Sequence, residues 1–163
     1  MKHKIILVLF LTLASLPQLS GQEEYVSPAK AQYKHAIGMS AGFTIGYGIT
    51  YQYWIKNFGI QANFAPAIDE RQTRYTAGLS FFYRLITVEH LNLFLYQGNS
   101  YWYSKREYSS SVRTTKYFNN GIGIGIEFVA LDRVGLSIMG GYATREDFDN
   151  YNLTGEAILK FKF

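Results

Sequence analysis

The final stretch of the chain, residues 151–163, alternates between apolar and polar side chains. Apolar or small residues occupy the odd positions, and polar residues occupy the even positions except Ile158. A period of two is the pattern of a β-strand with one apolar and one polar face. The sequence therefore predicts an amphipathic last strand that ends on Phe163.

The same alternation recurs upstream and predicts seven further strands. The eight predicted strands are 36–43, 48–55, 58–65, 74–85, one that starts at 91, 117–128, 134–143 and 151–163. Alternation in the fifth strand blurs at 97–99, which predicts a β-bulge near Gly98. Because no helical period appears beyond the N-terminal segment, the predicted fold class is all-β, with antiparallel strands.

The links between the predicted strands differ in length. Short turns are predicted at 56–57, 88–90 and 131–133, whereas the other links are mostly longer, polar or charged, with the longest at 105–116. Short turns at one end and longer loops at the other are typical of transmembrane β-barrels of the up-and-down type. An even number of strands then places both chain ends on the short-turn side.

The composition of the polar face separates two kinds of barrel. A soluble, lipocalin-like barrel would turn its apolar face inward and expose a charged face to water. Here the polar face is rich in glycine, serine, threonine, asparagine and glutamine, within a chain of 15 Gly, 14 Tyr and 12 Phe. An eight-stranded barrel has room inside only for small residues beside larger ones. The pattern therefore favours a membrane barrel with its polar face inward and its apolar face toward lipid.

The N-terminus has the organisation of a secretory signal peptide. Lys2 and Lys4 precede an apolar run that is about half the length needed to span a bilayer as a helix. We expect residues 1–21 to be a cleaved signal, 22–35 a periplasmic lead-in and 36–163 the barrel. The absence of cysteine excludes disulfides and lipid attachment through a cysteine.

The pattern of residues 36–163 resembles a family of small outer-membrane barrels. The glycine and aromatic placement, together with the closing residues 159–163, is similar to barrels of OmpA-like or OmpX-like architecture common in the Bacteroidota. This resemblance implies location in the outer membrane and a last strand that pairs with the first. It also implies that Phe161 and Phe163 form the signal that the barrel-assembly machinery recognises. The chain is shorter than a porin and lacks the periplasmic domain of OmpA.

Charged residues on the predicted inward face require partners, because an unpaired charge in a narrow lumen is costly. We predict an ion-pair cluster formed by Arg74, Arg84, Glu127, Glu156 and Lys160. Such a cluster either fills the lumen and fixes the register or acts as a gate or proton path. Neighbouring cations would keep both glutamates ionised, which argues against an acid/base pair.

The predicted loop at 105–116 and the aromatic residues before it form a second candidate site. Aromatic and basic side chains are interspersed there with a single acidic residue, Glu107. They suggest contact with lipopolysaccharide or with an external protein partner, although aromatic residues also line any membrane rim. The residues that we assign to this surface are Trp102, Tyr103, Lys105, Arg106, Arg113 and Lys116.

Other functions are disfavoured by the residues available. After the predicted signal, the histidines are His35 and His90, both expected at the periplasmic end, so no Ser/His/Asp arrangement can be built at the outer rim. No cluster of metal ligands occurs, and no cofactor is implied. The net charge falls from +4 to about +2 without the signal, which gives no reason to expect nucleic-acid binding. We expect a non-enzymatic monomer, with a narrow channel as the alternative function.

Overall fold

The computed structural model describes residues 33–69, 72–108, 111–145 and 151–163, without the side chain of Tyr108. The predicted signal peptide and most of the predicted lead-in lie outside these residues. The strands are β1 (His35–Ala41), β2 (Gly48–Ile55), β3 (Phe58–Asp69), β4 (Gln72–Val88), β5 (Leu91–Tyr108), β6 (Ser111–Ala130), β7 (Val134–Arg145) and β8 (Tyr151–Lys162).

These strands close into an antiparallel barrel. Each strand pairs with the next in the chain, and β8 pairs with β1. The seam between the first and last strands is completed by two backbone hydrogen bonds, from His35 N to Phe163 O (3.2 Å) and from Phe163 N to His35 O (2.9 Å). The predicted all-β, eight-stranded, up-and-down topology is confirmed. Among the residues that the structure describes, there is no helix long and apolar enough to cross a membrane.

The apolar face of the strands points outward. Ile124 and Leu159 are about half exposed, whereas Glu127 and Lys160 on the alternate positions are almost fully buried. Aromatic residues lie toward both ends of the outer surface. On a strand that rises about 3.3 Å per residue and tilts by about 40°, the distance from Tyr151 to Phe161 corresponds to about 25 Å of height. That height matches the apolar band of an outer-membrane barrel.

The three short turns lie at the same end as the two ends of the barrel sequence. Lys56 adopts a positive φ of 53° in the first turn, and Leu131 and Asp132 adopt 49° and 61° in the third. The second consists of two residues between Val88 and Leu91. Tight turns of this kind, at the end where the chain enters and leaves the barrel, define the periplasmic side.

Two predicted links are strands instead over the residues that the structure describes. From the predicted loop at 105–116, residues 105–108 and 111–116 continue the β5–β6 ladder up to the pair Tyr108–Ser111, and residues 66–69, after the third predicted strand, continue the β3–β4 ladder. Charge and Pro66 suggested loops, but ladder hydrogen bonds persist beyond the membrane wherever a partner strand is present. Pro66 is tolerated because β3 has no β2 partner at that level, so that its missing N–H faces an open edge.

The predicted bulge at Gly98 is also wrong. Gly98 pairs regularly with Ser80 and Gly121, and the irregularity in the β4–β5 ladder lies between Arg84 and Ile86. Alternation blurs at 97–99 because Gln97 and Asn99 are polar residues on the outer face. Their side-chain amides bond to each other at 3.0 and 3.1 Å, so the polar groups are satisfied without leaving the strand.

The wall of the barrel is lowest at β1 and β2. The β1–β8 ladder ends at the pair Ala41–Ala157, although β8 begins six residues further up, at Tyr151. We call the gap above β1 and β2 the notch; its sides are residues 151–156 of β8 and 65–69 of β3. These parts of β8 and β3 therefore extend beyond the ladders that they form with β1 and β2.

We predict that Ile124→Arg destabilises the barrel in lipid vesicles by about 2–4 kcal/mol, because it places a charge on the lipid-facing surface near mid-height. Unfolding in urea, followed by tryptophan fluorescence, measures the effect. The control is Leu131→Arg in an exposed periplasmic turn, which should cost less than about 1 kcal/mol. Equal effects of the two variants would contradict the outward orientation of the apolar face.

Candidate functional site

The connection between β1 and β2 folds into the barrel instead of projecting from it. We call this connection, residues 42–47, the inner loop. Thr44 and Ile45 at its centre have no solvent exposure. The inner loop therefore occupies the external half of the lumen. The sequence pattern predicts residues 42 and 43 as the end of the first strand and 44–47 as a link to the second.

The carboxylate of Glu156 holds the inner loop. Glu156 points inward from β8 and accepts hydrogen bonds from the backbone N–H of Thr44 (3.3 Å), from the Thr44 hydroxyl, and from the backbone N–H of Ile45 (3.0 Å). The Tyr96 hydroxyl on β5 donates a further bond of 3.3 Å. A buried carboxyl group with four donors has its hydrogen-bonding capacity satisfied without a cation.

Side chains of β5 and β6 fix the start of the inner loop. The carbonyl oxygen of Phe43 accepts hydrogen bonds from Ser100 Oγ (2.8 Å) and Asn119 Nδ2 (3.1 Å). These donors lie on β5 and β6. The loop is thus bonded to three strands of the wall, β5, β6 and β8.

Glycines make the space that the loop fills. A Cβ atom added at Gly98 would lie 2.8 Å from the Thr44 hydroxyl, and one at Gly121 would overlap the Thr44 methyl group. Gly46 and Gly48 at the end of the loop have φ angles of +78° and +124°, which side-chain-bearing residues rarely adopt. The sequence suggested that inward glycines make room for larger side chains. In the structure, part of this space is occupied by the backbone of the inner loop.

An apolar layer lies below the inner loop. Its members are buried and come from the inward face of five strands and from the loop itself: Ile45, Trp54, Phe82, Phe94, Tyr96, Met139 and Ile158. Phe82 meets Phe94 edge-on, with ring centroids 5.5 Å apart. This layer was missed because most of the strands contribute only one member to it, among polar or small inward residues, and only barrel closure brings the members together.

A charged cluster fills the periplasmic half. Lys160 Nζ lies 2.8 Å from Glu127 Oε1, and Lys162 Nζ lies 3.0 Å from Glu127 Oε2. Asn92 donates a 2.7 Å bond to the same carboxylate, and Gln52 accepts a 2.5 Å bond from Lys160. One carboxylate thus faces two ammonium groups in a space that water scarcely reaches.

The five residues predicted to form the lumen cluster are divided among three places. Glu127 and Lys160 are paired, and Arg84 lies nearby with its guanidinium 4.2 Å from the Trp54 ring centre. Glu156 belongs to the inner-loop contacts, because its hydrogen-bond donors are Thr44, Ile45 and Tyr96. Arg74 does not join the cluster: it is exposed near the external end of β4, opposite Ser104. Arg74 occupies an inward-facing position of the strand alternation, but it lies nearer the external end of the barrel than the predicted cluster.

The residues assigned to the external surface lie on the β5–β6 hairpin. Tyr103 stacks on Tyr75 with ring centroids 4.8 Å apart, and Lys116 Nζ lies 6.0 Å from the Tyr103 ring centre. Trp102 faces the lumen mouth and meets Tyr47 of the inner loop edge-on at 4.7 Å.

The charges of the hairpin are distributed on both of its faces. Lys105 forms a 2.6 Å ion pair with Glu107. Arg106 stands directly opposite Arg113 across the ladder. Arg106 also donates a 3.3 Å hydrogen bond to Gln72 Oε1 of β4, so two arginines are adjacent at this point of the hairpin and one of them is anchored to the neighbouring strand.

The two histidines after the predicted signal lie at the periplasmic end. His35 starts β1 and its ring stacks near that of Phe163, with centroids 5.8 Å apart. His90 is in the turn between β4 and β5. In the described part of the chain, no three His, Cys, Asp or Glu side chains are grouped to hold a metal ion.

A cavity of about 400 Å³ opens at the external rim, beside the notch. It is lined by the inner loop, β7 and β8: Phe43, Ala143, Arg145, Asn152, Leu153, Thr154 and Gly155. The Arg145 guanidinium packs 4.3 Å from the ring centre of Tyr117 and 5.2 Å from that of Phe43. This cavity was not predicted, because the local sequence does not reveal that β1 stops short of β8.

Solved structures of eight-stranded barrels resemble this one. The N-terminal β-barrel domain of Pseudomonas aeruginosa OprF aligns with a TM-score of 0.57 at 13% identity, over 79% of this chain and 96% of that domain. The fold is that of an outer-membrane β-barrel. Neisserial surface protein A aligns with a TM-score of 0.50 at 16% identity, over 79% of this chain and 94% of that protein. No family model and no curated protein matches the chain.

With the apolar band, this fold agrees with the predicted location in the outer membrane. The finer expectation of an origin in the Bacteroidota stays a prediction. So does the role of Phe161 and Phe163 in barrel assembly. Both residues lie in or beside the seam, where Phe161 pairs with Ile37.

We predict that Glu127→Gln destabilises the barrel by about 3–5 kcal/mol, because it leaves the Lys160 ammonium buried without its carboxylate. The double variant Glu127→Gln/Lys160→Met should cost less than the sum of the single variants, and urea unfolding of all three measures the coupling. As a control, Glu107→Gln breaks an exposed pair and should change stability little. Additive single effects would show that the buried pair is not coupled.

Proposed function

We propose that this protein is a plugged, non-enzymatic outer-membrane barrel that works through its external surface. The observation that carries this proposal is the inner loop bonded to Glu156, with the apolar layer and the charged cluster below it. The inner loop, the apolar layer and the charged cluster occupy successive levels of one narrow lumen and leave little room for a solute path. They support a structural role, in which the interior stabilises the barrel and the rim makes the contacts.

The external contact we propose is with lipopolysaccharide. The β5–β6 hairpin extends past the external aromatic residues, and Arg106 and Arg113 face each other there. Guanidinium groups bind phosphate in a bidentate manner, and stacked Tyr75 and Tyr103 provide a rigid surface beside them. An external protein partner is the other occupant we envisage for this hairpin. Transient contact with the barrel-assembly machinery and an otherwise monomeric state complete the proposal.

A narrow channel is the second candidate, and one observation favours it. On the inner face of β3 and β4, buried polar atoms of Gln61, Asn63, Thr76 and Ser80 form no hydrogen bond with the described residues. Buried polar groups without a protein partner are usually bonded to water. A hydrated strip along this side of the lumen would be the route for a small solute.

Planar-bilayer recording distinguishes the two functions. We predict that the purified barrel produces no steady unitary current, because the inner loop and the apolar layer interrupt the lumen. A porin reconstituted in the same bilayers provides the positive control for insertion and detection. Reproducible unitary currents from the folded barrel would contradict the plugged state and support the channel.

We predict that Arg106→Gln/Arg113→Gln weakens binding of lipopolysaccharide by about tenfold or more, because it removes both guanidiniums of the hairpin pair. Titration of detergent-solubilised protein with lipopolysaccharide at low and high salt measures this loss. The matched control is Lys56→Gln/Arg133→Gln, which removes the same charge from exposed periplasmic turns. Equal binding by both double variants would exclude the hairpin as the contact.

A further inference from the structure

The cavity beside the notch, which we call the recess, has the features of a lipid-binding site. Its volume of about 400 Å³ falls in the range of small-molecule pockets. Phe43, Ala143 and Leu153 supply apolar surface, and Arg145 supplies a permanent positive charge. An apolar recess with a single cation at one end is suited to an amphipathic anion.

The recess opens sideways, toward the bilayer, because β1 leaves the wall at Ala41. From Tyr151 to Glu156, β8 pairs with β7 on one side and extends beyond the β1 ladder on the other. Leu153 on this free part of β8 is 81% exposed. A Cβ added at Gly155 would have no atom within 4 Å, so none of the described residues covers this point of the strand. Chain-like molecules from the surrounding lipid can enter here.

The height of the recess corresponds to the external boundary of the apolar band. Tyr142 and Tyr151, both strongly exposed, lie on the outer face at this level, and aromatic residues of this kind mark the membrane interface. Arg145 is one position beyond the Thr144–Tyr151 pair. Its guanidinium is therefore at the level of lipid headgroups, while the apolar lining reaches down toward the acyl chains.

The environment of Arg145 restrains its side chain. The guanidinium carbon lies 4.3 Å from the ring centre of Tyr117 and 5.2 Å from that of Phe43. Contacts with two rings limit the positions of the guanidinium, which offers several N–H donors to a phosphate. A guanidinium fixed in this way loses little conformational freedom when it binds a phosphate.

We propose that the recess beside the notch binds one phosphorylated lipid of the external leaflet, with its phosphate beside Arg145 and an acyl chain along Phe43, Leu153 and Gly155. This site is separate from the β5–β6 hairpin and does not depend on the function proposed for it. The occupant is a membrane lipid, because the opening faces the bilayer at headgroup height.

Native mass spectrometry of the full barrel in detergent tests this proposal with two probes. Dioleoyl phosphatidic acid carries the phosphate, and dioleoylglycerol carries the same chains without it. We expect saturable binding of one phosphatidic acid and at least tenfold weaker binding of dioleoylglycerol. Equal binding of the two lipids would overturn the proposal, because the phosphate would then play no part.

Substitutions localise the binding. Arg145→Gln should weaken phosphatidic acid binding about tenfold, and Arg145→Lys should restore part of it. Gly155→Leu, whose side chain would have free space on the outer face of β8 at the mouth of the recess, should obstruct entry of an acyl chain without disturbing the fold. Controls are Arg133→Gln at the periplasmic end and Ala62→Leu on the lipid-facing side of β3.

The outcomes separate this site from the hairpin. A faster-migrating unboiled band on a detergent gel confirms that each variant has folded. Wild-type affinity in both Arg145→Gln and Gly155→Leu would overturn the notch site. If the hairpin variant Arg106→Gln/Arg113→Gln alone lost binding, the surface role of the hairpin would stand and the notch site would fail.

Discussion

The hydrogen bonds that Glu156 accepts from Thr44 and Ile45 are the interaction on which the external half of this barrel depends. A closed ring of eight strands encloses a lumen too narrow for bulk water and too wide to be filled by glycine-rich strands alone. The chain solves this by folding its own first external connection inward. A buried carboxylate would be costly without partners, and backbone N–H groups of the inner loop would be equally costly. The carboxylate and these N–H groups satisfy each other by hydrogen bonding.

This arrangement has consequences for the rim. Because the chain turns inward after Ala41, β1 and β2 are short, with 7 and 8 residues, whereas β5 and β6 have 18 and 20. The wall is therefore high at the hairpin and low at the notch. The plug, the projecting hairpin and the lateral cavity all follow from where β1 ends. The charged cluster around Glu127 is independent of this choice, and it keeps the periplasmic half filled.

Alternation was sufficient to predict the strands, the outward apolar face and the periplasmic turns, because all three depend on local period and turn residues. Glu127 and Lys160 could be matched from parity and approximate height. The inner loop could not be predicted, since Gly42 to Gly48 has the composition of any external bend, and only the glycines at 98 and 121 on distant strands make room for Thr44. Heights along neighbouring strands depend on the stagger of the barrel, which explains why Arg74 and Glu156 were assigned to the wrong cluster.

Amide hydrogen exchange measured by NMR on the detergent-folded barrel tests the seated inner loop most directly. Thr44 and Ile45 belong to a connection between strands, and an external loop would exchange rapidly. Bonded to Glu156 within the lumen, their amides should instead be protected to a degree comparable with the ladder amides of β6. Rapid exchange at both positions, with protected strands around them, would show that the inner loop is not held inside the barrel.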